Sequence, residues 1–158
     1  MTIKIHPKER QFLTKIAKII AENQDKRIVV VGTTCTGKST LVSQLKKEGV
    51  DAHDMDELIF PQLTKKEVDA VNKTPRTEEM GRLMDNLAKK YVKVGPGSPV
   101  FGTVLFDSDL IIYLRINDEK LRERIVSRKV NFEDAKKMQN AIEREVKSSG
   151  INTIEVAV

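Results

Sequence analysis

One eight-residue segment constrains this chain more than any other feature of its sequence. Residues 32–39 read Gly-Thr-Thr-Cys-Thr-Gly-Lys-Ser, which fits the pattern Gly-x-x-x-x-Gly-Lys-Ser/Thr without a mismatch. An unbroken β-branched run, residues 28–31, precedes it, and a stretch with Leu41, Val42 and Leu45 on one helical face follows it. A buried strand, a glycine-bearing turn and a helix in this order direct backbone N–H groups to one point, where they bind phosphate oxygens.

The side chains of this segment have predicted roles toward a nucleotide. Lys38 is expected to reach the β and γ phosphates, and the hydroxyl of Ser39 is expected to ligate Mg²⁺. The sequence therefore predicts a P-loop that binds ATP, with Mg²⁺ as the cofactor. The predicted nucleotide-binding residues of the loop are Gly32, Thr33, Thr34, Cys35, Thr36, Gly37, Lys38, Ser39 and Thr40.

Composition excludes several other classes of protein. A single cysteine and two histidines rule out an intrachain disulfide and argue against a zinc site or histidine-centred catalysis. That cysteine, Cys35, is either a small residue that fits the loop or a redox-responsive thiol. No apolar stretch approaches the roughly 20 residues of a membrane span, and the N-terminus has no signal-peptide core, so we expect a cytoplasmic protein without membrane partners. The net charge of +5 suits anionic partners and permits nucleic acid without requiring it.

Strand-like and helix-like patterns alternate along the chain. Such alternation predicts a single domain over residues 1–158, with a three-layer α/β/α arrangement around a parallel sheet of about five strands. An additional helix is predicted within residues 1–24, before the first strand. The other predicted elements are strands at 50–54, 110–116 and 151–158, and helical stretches at 38–47, 57–91 and 117–149. The stretch at 57–91 is predicted to contain a break, with Thr64 and Thr77 as helix N-caps.

The position of the third strand has two interpretations. Residues 100–102 have a strand-like composition, but only seven residues separate them from the strand that begins at Leu110. A parallel crossover usually needs a dozen or more residues. Either the connection is unusual or the third strand lies earlier, near residues 91–94.

Together these features resemble the small P-loop kinases. That group includes shikimate kinase, gluconate kinase, dephospho-CoA kinase and the nucleoside monophosphate kinases. The resemblance covers about residues 27–157 and implies a P-loop NTPase fold. It also implies that the γ-phosphoryl group of ATP-Mg²⁺ is transferred to a small hydroxylated or phosphorylated metabolite.

The resemblance extends to an acidic pair, Asp54 and Asp56, after the second predicted strand. In the shikimate and gluconate kinases an Asp-x-Asp at this place serves Mg²⁺ and the acceptor hydroxyl. The resemblance implies that Asp54 helps Ser39 to hold Mg²⁺. It also implies that Asp56 is catalytic and orients or deprotonates the acceptor. The alternative is a solvated acidic turn that caps the next helix.

Residues from about 118 to 135, here the lid-like segment, resemble the lid of these kinases. The resemblance implies that Arg124 binds nucleotide and that Arg128, like Lys38, is catalytic and stabilises the transferring phosphoryl group. Because they are four residues apart, Arg124 and Arg128 are predicted to share one helical face. An ordinary solvated helix is the alternative.

The acceptor site has the weakest sequence signal. Residues 76–79, Arg-Thr-Glu-Glu, resemble the R-x-x-E with which shikimate kinase holds its substrate carboxylate, and Arg82 follows. Arg76 and Arg82 are therefore the predicted acceptor-binding residues. Arg and Glu are also common on exposed helices, so chance is the alternative.

Two other functions remain open at this stage. The same P-loop could serve a regulatory or assembly ATPase whose helical stretch at 57–91 engages a protein partner. The positive net charge also allows a polynucleotide kinase. The leading prediction has ATP and a small-molecule acceptor as partners, and the sequence leaves the acceptor and the oligomeric state open.

Overall fold

The computed structural model describes residues 7–72 and 77–158. Its strands are β1 (Ile28–Gly32), β2 (His53–Asp54), β3 (Val100–Gly102), β4 (Leu110–Arg115) and β5 (Asn152–Ala157). Its helices are α1 (Pro7–Glu22), α2 (Lys38–Lys47), α3 (Met55–Ile59), α4 (Lys65–Val71), α5 (Glu78–Tyr91), α6 (Asp118–Ile125) and α7 (Phe132–Ser148), with a 3₁₀ turn at Phe60–Gln62. In these two ranges, no helix has the length and apolar character to cross a bilayer.

All five strands form one parallel sheet in the order β2-β3-β1-β4-β5. Strand β1 lies in the middle and is buried along its whole length. After β1 the chain forms β2 and β3 on one side of this strand and then β4 on its other side. The carboxyl end of β1 is therefore the point where the direction of the strand order changes. Ligands of open α/β sheets bind at such a switch point. The predicted P-loop NTPase fold with a parallel sheet of five strands is confirmed.

Side chains of the central strands alternate between two apolar cores. Ile28 and Val30 face the first core, whereas Val29 and Val31 face the second. Helices α1 and α2 cover the first face, and Ile16 of α1 is fully buried there. Helices α3, α5 and α7 cover the second face. Because both faces of the sheet are covered, β1 is apolar at every position.

The connection between β3 and β4 settles the position of the third strand. Strand β3 lies at 100–102, and the alternative near 91–94 is wrong, because α5 continues to Tyr91 and no strand follows it directly. Residues 103–109 carry the chain past β1 to β4 without a helix. Val104 and Phe106 of this segment are buried in the second core. The segment therefore covers the sheet where a crossover helix would otherwise lie.

The predicted helical stretches are divided, and capping side chains mark the divisions. Thr64 and Thr77 cap α4 and α5 as predicted. The long helical region predicted over 117–149 is interrupted, because residues 126–131 separate α6 from α7. The side chain of Asn131 accepts backbone N–H groups of the first turn of α7 and so begins a new helix. The second strand is also shorter than predicted, at two residues.

Gly102 provides a test of the packing between β3 and α3. A Cβ atom at this position would lie 2.8 Å from the Cβ and 2.9 Å from the Sδ of Met55. The Met55 thioether can move, but its Cβ moves only with the α3 backbone. We therefore expect Gly102→Ala to lower the free energy of unfolding by about 1–3 kcal/mol.

Gly81→Ala is the matched control, because a Cβ at Gly81 in α5 meets nothing within 4 Å. This variant should raise the free energy of unfolding by up to about 1 kcal/mol, since alanine favours the helix over glycine. Urea denaturation measures both changes. A Gly102→Ala protein as stable as the parent would contradict the described packing.

Candidate functional site

The P-loop leaves β1 at Gly32 and enters α2 at Lys38. Two of its residues have positive φ angles, 67° at Cys35 and 89° at Gly37. These left-handed residues curl the backbone around the space in front of α2. Gly37 is the N-cap of α2 and supplies no capping side chain. The first N–H groups of α2 are therefore available to a ligand, at the positive end of the helix dipole.

Close packing and hydrogen bonds fix the start of the loop. A Cβ on Gly32 would lie 2.9 Å from Thr36 Oγ1 and 3.0 Å from Leu114 Cβ, so only glycine fits between the loop and β4. Thr36 Oγ1 donates to the Thr33 carbonyl at 2.8 Å. Thr33 Oγ1 in turn donates to the Ala135 carbonyl of α7 at 2.6 Å. The loop is thus attached both to the sheet and to α7.

The ammonium group of Lys38 folds back into the loop. Its Nζ donates to the carbonyl oxygens of Gly32 at 2.7 Å and Thr33 at 2.6 Å, and to Thr36 Oγ1 at 3.1 Å. Burial lowers the pKa of Lys38 to about 8, although the nearby Asp54 carboxylate opposes this change. The ammonium therefore donates its hydrogen bonds to neutral oxygens, while the carboxylate acts on it through space.

Ser39 and Asp54 meet at the rim of the loop. Ser39 Oγ lies 3.3 Å from Asp54 Oδ2 and donates to it. Asp54 Oδ1 accepts the backbone N–H of Asp56 at 3.0 Å and caps α3. Asp54 thus caps the next helix, which agrees with the interpretation of the acidic pair as a capping turn. It also contacts Ser39 of the loop, which the interpretation as a Mg²⁺ ligand requires.

The donor set of Ser39 and Asp54 fits Mg²⁺. This ion takes one or two protein oxygens and completes its octahedron with waters and substrate phosphates. In the part of the chain that the structure describes, no group of three or more His, Cys, Asp or Glu side chains could hold a metal ion. A metal here would therefore depend on the phosphates of a bound nucleotide.

A groove of about 280 Å³ opens beside the acidic pair. It adjoins the P-loop, because Ser39 belongs to both. Lys46 Nζ lies 2.9 Å from Glu57 Oε2 and forms an ion pair across one part of the lining. The lining residues are Ser39, Val42, Ser43, Lys46, Asp54, Asp56 and Glu57.

The two arginines of the lid-like segment lie in different surroundings. Arg124 Nη1 donates to the Cys35 carbonyl at 2.9 Å, so α6 contacts the loop directly. The prediction that Arg124 and Arg128 share a helical face is wrong, because α6 ends at Ile125 and Arg128 lies in the exposed turn that follows. There the N–H of Arg128 bonds to the Ile125 carbonyl three residues back, as in a turn. The positive charge of Arg128 nonetheless acts on Lys38 and contributes to its lowered pKa.

The remaining predicted residues lie away from these contacts. Arg76 is outside the described residues, and Arg82 lies on the exposed face of α5 and does not line the groove. Thr40 is exposed in the first turn of α2. Thr34 is half-buried, and its buried Oγ1 has no hydrogen-bond partner among the residues that the structure describes.

Sequence reasoning missed four residues that line the groove: Val42, Ser43, Lys46 and Glu57. Ser43 and Lys46 follow Ser39 by four and seven positions on α2, a spacing that places them on one helical face. That spacing was the available signal. Nothing in the sequence pattern placed this face opposite the start of α3.

The chain was compared with curated proteins and with solved structures. No curated protein matches this chain. Among solved structures, a deoxyadenosine kinase from M. mycoides, with its products dCMP and a flexible dCDP bound, matches with 16% identity and a TM-score of 0.50. The match covers 82% of this chain and 88% of that one. At this identity the likeness is one of fold.

A comparison with protein families identifies the family of this chain. Residues 28–147 match an AAA domain family. The matched range begins at the first residue of β1, includes the P-loop, the acidic pair and the lid-like segment, and ends one residue before the end of α7. The chain therefore belongs to this AAA domain family of P-loop proteins.

Proposed function

We propose that this protein is a kinase that transfers the γ-phosphoryl group of ATP to a small acceptor. The observation that carries the proposal is the groove beside the P-loop, which shares Ser39 with the loop and contains the carboxylates of Asp54 and Asp56. A protein that only binds nucleotide needs no second groove at the site of the γ-phosphate. A kinase needs one, and needs a carboxylate within it to accept the acceptor proton.

The loop supplies the donor side of the site. Phosphate oxygens would lie inside the curved loop in front of α2 and accept hydrogen bonds from the free N–H groups of the first turn of α2. Lys38 would exchange the carbonyls of Gly32 and Thr33 for β- and γ-phosphate oxygens. Ser39 and Asp54 would hold Mg²⁺, which when bound neutralises part of the phosphate charge.

The chemical step joins the loop to the groove. The acceptor hydroxyl oxygen attacks the γ-phosphorus, and a new O–P bond forms. The bond from the γ-phosphorus to the bridging oxygen breaks, and its electron pair remains on that oxygen as ADP leaves. Asp56 takes the hydroxyl proton, while Lys38 and Arg128 neutralise negative charge on the transferring group.

The lowered pKa of Lys38 predicts a pH dependence of ATP binding. Lys38 has a pKa of about 8 in the free protein because burial disfavours its charge. Contact with the triphosphate raises this pKa, so binding above that pH must take up a proton. Affinity should be level near pH 7 and fall by up to about tenfold per pH unit between about pH 8 and about pH 10. Calorimetric titrations in two buffers of different ionisation enthalpy measure both affinity and proton uptake.

Lys38→Met is the control for this titration, since it keeps a long side chain and removes the charge. Its ATP affinity should be weaker by about tenfold or more at neutral pH and should lack the fall above about pH 8. A parent protein whose affinity is flat across that range would contradict the assigned role of Lys38.

Asp56→Asn tests the general base. The substitution keeps the shape of the side chain and removes the carboxylate, so kcat should fall by about 10² or more with ATP affinity little changed. Asp69→Asn makes the same change on the exposed surface of α4 and should leave kcat unchanged. Steady-state ADP release measures both variants, and an unaltered kcat in Asp56→Asn would reduce Asp56 to a structural residue of α3.

Arg128→Ala tests the lid-like segment. An arginine that acts on the transferring phosphoryl group stabilises the transition state more than the bound nucleotide. We therefore expect kcat to fall at least about tenfold, or about 1.4 kcal/mol of barrier, with a small change in ATP affinity. Lys129→Ala removes a neighbouring exposed charge from the same turn and should have a much smaller effect. Equal effects of the two variants would show a general charge effect and contradict a specific role for Arg128.

A further inference from the structure

We propose that Thr33 is a positioning residue, whose buried hydroxyl joins the P-loop to α7 and couples a bound nucleotide to the turn at residues 126–131. That turn, here called the lid turn, carries Arg128. This inference rests on the part of the proposed function in which the P-loop binds ATP. It gives the side chain of Thr33 a role other than the nucleotide contact that the sequence predicted.

The side chain of Thr33 is directed to α7. The residue is fully buried, and its Oγ1 donates to the Ala135 carbonyl at 2.6 Å. A hydroxyl carries one proton to donate, so this bond uses the only donor that the side chain could have offered to a phosphate. The hydroxyl of Thr33 therefore serves the contact between loop and helix.

The backbone of Thr33 contacts the charge that the nucleotide is expected to engage. Its carbonyl accepts Lys38 Nζ at 2.6 Å and Thr36 Oγ1 at 2.8 Å. In the proposed function Lys38 turns to phosphate oxygens, so the Thr33 carbonyl then keeps one of these two donors. The loops with and without nucleotide thus differ in the hydrogen bonds of Thr33 itself, which gives the two states that coupling requires.

The path from Thr33 to the lid turn is short. The Thr33 hydroxyl bonds to backbone, so no long side chain lies between the P-loop and the first turn of α7. Asn131, the last residue of the lid turn, is bonded to that same helical turn. Its side chain accepts the N–H groups of Glu133 at 2.8 Å and Asp134 at 3.3 Å, and its carbonyl accepts the N–H of Ala135 at 3.1 Å. A change at Ala135 therefore reaches Asn131 directly.

The rest of α7 is fixed to the sheet. The amide of the buried Gln139 bonds to both backbone groups of Ile116, each at 3.1 Å. Apolar residues farther along the helix lie in the second core. By contrast, residues 126–129 of the lid turn are exposed. A change at the start of α7 is therefore taken up by the lid turn more easily than by the helix.

The contact between α6 and the loop is of a different kind. Arg124 reaches the Cys35 carbonyl at 2.9 Å through a long side chain with several rotatable bonds. Such a side chain can change its rotamer without moving α6. Threonine has a short, β-branched side chain that is stiff at χ1. The bond of Thr33 to α7 is therefore the better connection for transmitting a small movement of the loop.

Hydrogen exchange on the whole chain, with and without saturating ATP-Mg²⁺, tests the inference. In the parent, ATP should protect the P-loop and also slow exchange at least about threefold over residues 126–135. Thr33→Val keeps the shape of the side chain and removes the hydroxyl. This variant should bind ATP with a Kd within about threefold of the parent and protect its P-loop, but lose the added protection of residues 126–135.

Two further variants serve as controls. Thr33→Ser restores the hydroxyl and should regain the protection of residues 126–135. Ser108→Ala removes another buried hydroxyl, which donates to the Phe106 carbonyl at 3.2 Å. Ser108 lies just before β4, at the edge of the sheet opposite to the P-loop. Its loss should leave the ATP-dependent protection unchanged. Because carbonyls in the first turn of a helix also accept the N–H four residues on, Thr33→Val does not leave the Ala135 carbonyl unpaired, and the variant should fold.

Several results would overturn the inference. ATP could protect the P-loop of the parent and not residues 126–135, or Thr33→Val could keep the protection of the parent. Equal losses in Thr33→Val and Ser108→Ala would show a general loosening of the fold. Loss of ATP binding in Thr33→Val would mean that the hydroxyl maintains the loop itself and does not couple it to α7.

These results are distinguishable from a failure of the proposed function, because hydrogen exchange requires no acceptor. A chain that shows the predicted protection pattern but transfers no phosphoryl group to any small alcohol would overturn the kinase proposal alone. A chain that does not bind ATP would overturn both.

Discussion

The contact on which the site depends is the one between the Lys38 ammonium and the carbonyls of Gly32 and Thr33. Strand β1, buried on both faces, brings Gly32 to the middle of the sheet edge. The loop curves around the ammonium, and the hydrogen bonds to the two carbonyls stabilise this curved conformation. Burial of this charge lowers the pKa of Lys38, so the neutral oxygens and the nearby carboxylates only partly replace the solvation that the ammonium loses. In the proposed function, a phosphate group of the nucleotide would bring negative charge to the same place and supply what the carbonyls lack.

The loop is held by its surroundings as firmly as by its own residues. Cys35 has a positive φ without being glycine, which costs conformational energy. Its side chain is buried in a small apolar cluster with Leu121 of α6 and Ala135 of α7, and its carbonyl accepts from Arg124. The packing role of the single cysteine is therefore the one that the structure supports. Both helices that flank the turn of the lid-like segment contact the P-loop.

Local patterns predicted the parts of the structure that depend on local chemistry. The P-loop, strands β1 and β4 and the caps Thr64 and Thr77 follow from residue type and spacing. Sequence reasoning failed where tertiary contacts decide. The extended segment 103–109 depends on Val104 and Phe106 filling the second core. The helix break at 126–131 is a different case, because its signal is local: sequence reasoning missed the helix cap Asn131. The groove is formed by α2 and α3, which lie apart in sequence, so its lining could not be predicted from either segment alone.

The central claim is that the P-loop and the groove form one site in which phosphoryl transfer occurs. The most direct measurement follows the labelled γ-phosphoryl group of ATP in the presence of Mg²⁺ and a pool of small alcohols. The account predicts that the label moves to a small acceptor, and that Asp56→Asn suppresses the transfer while ATP still binds. Label that appears only as inorganic phosphate, and only when a protein partner is added, would contradict the account and support a partner-dependent ATPase.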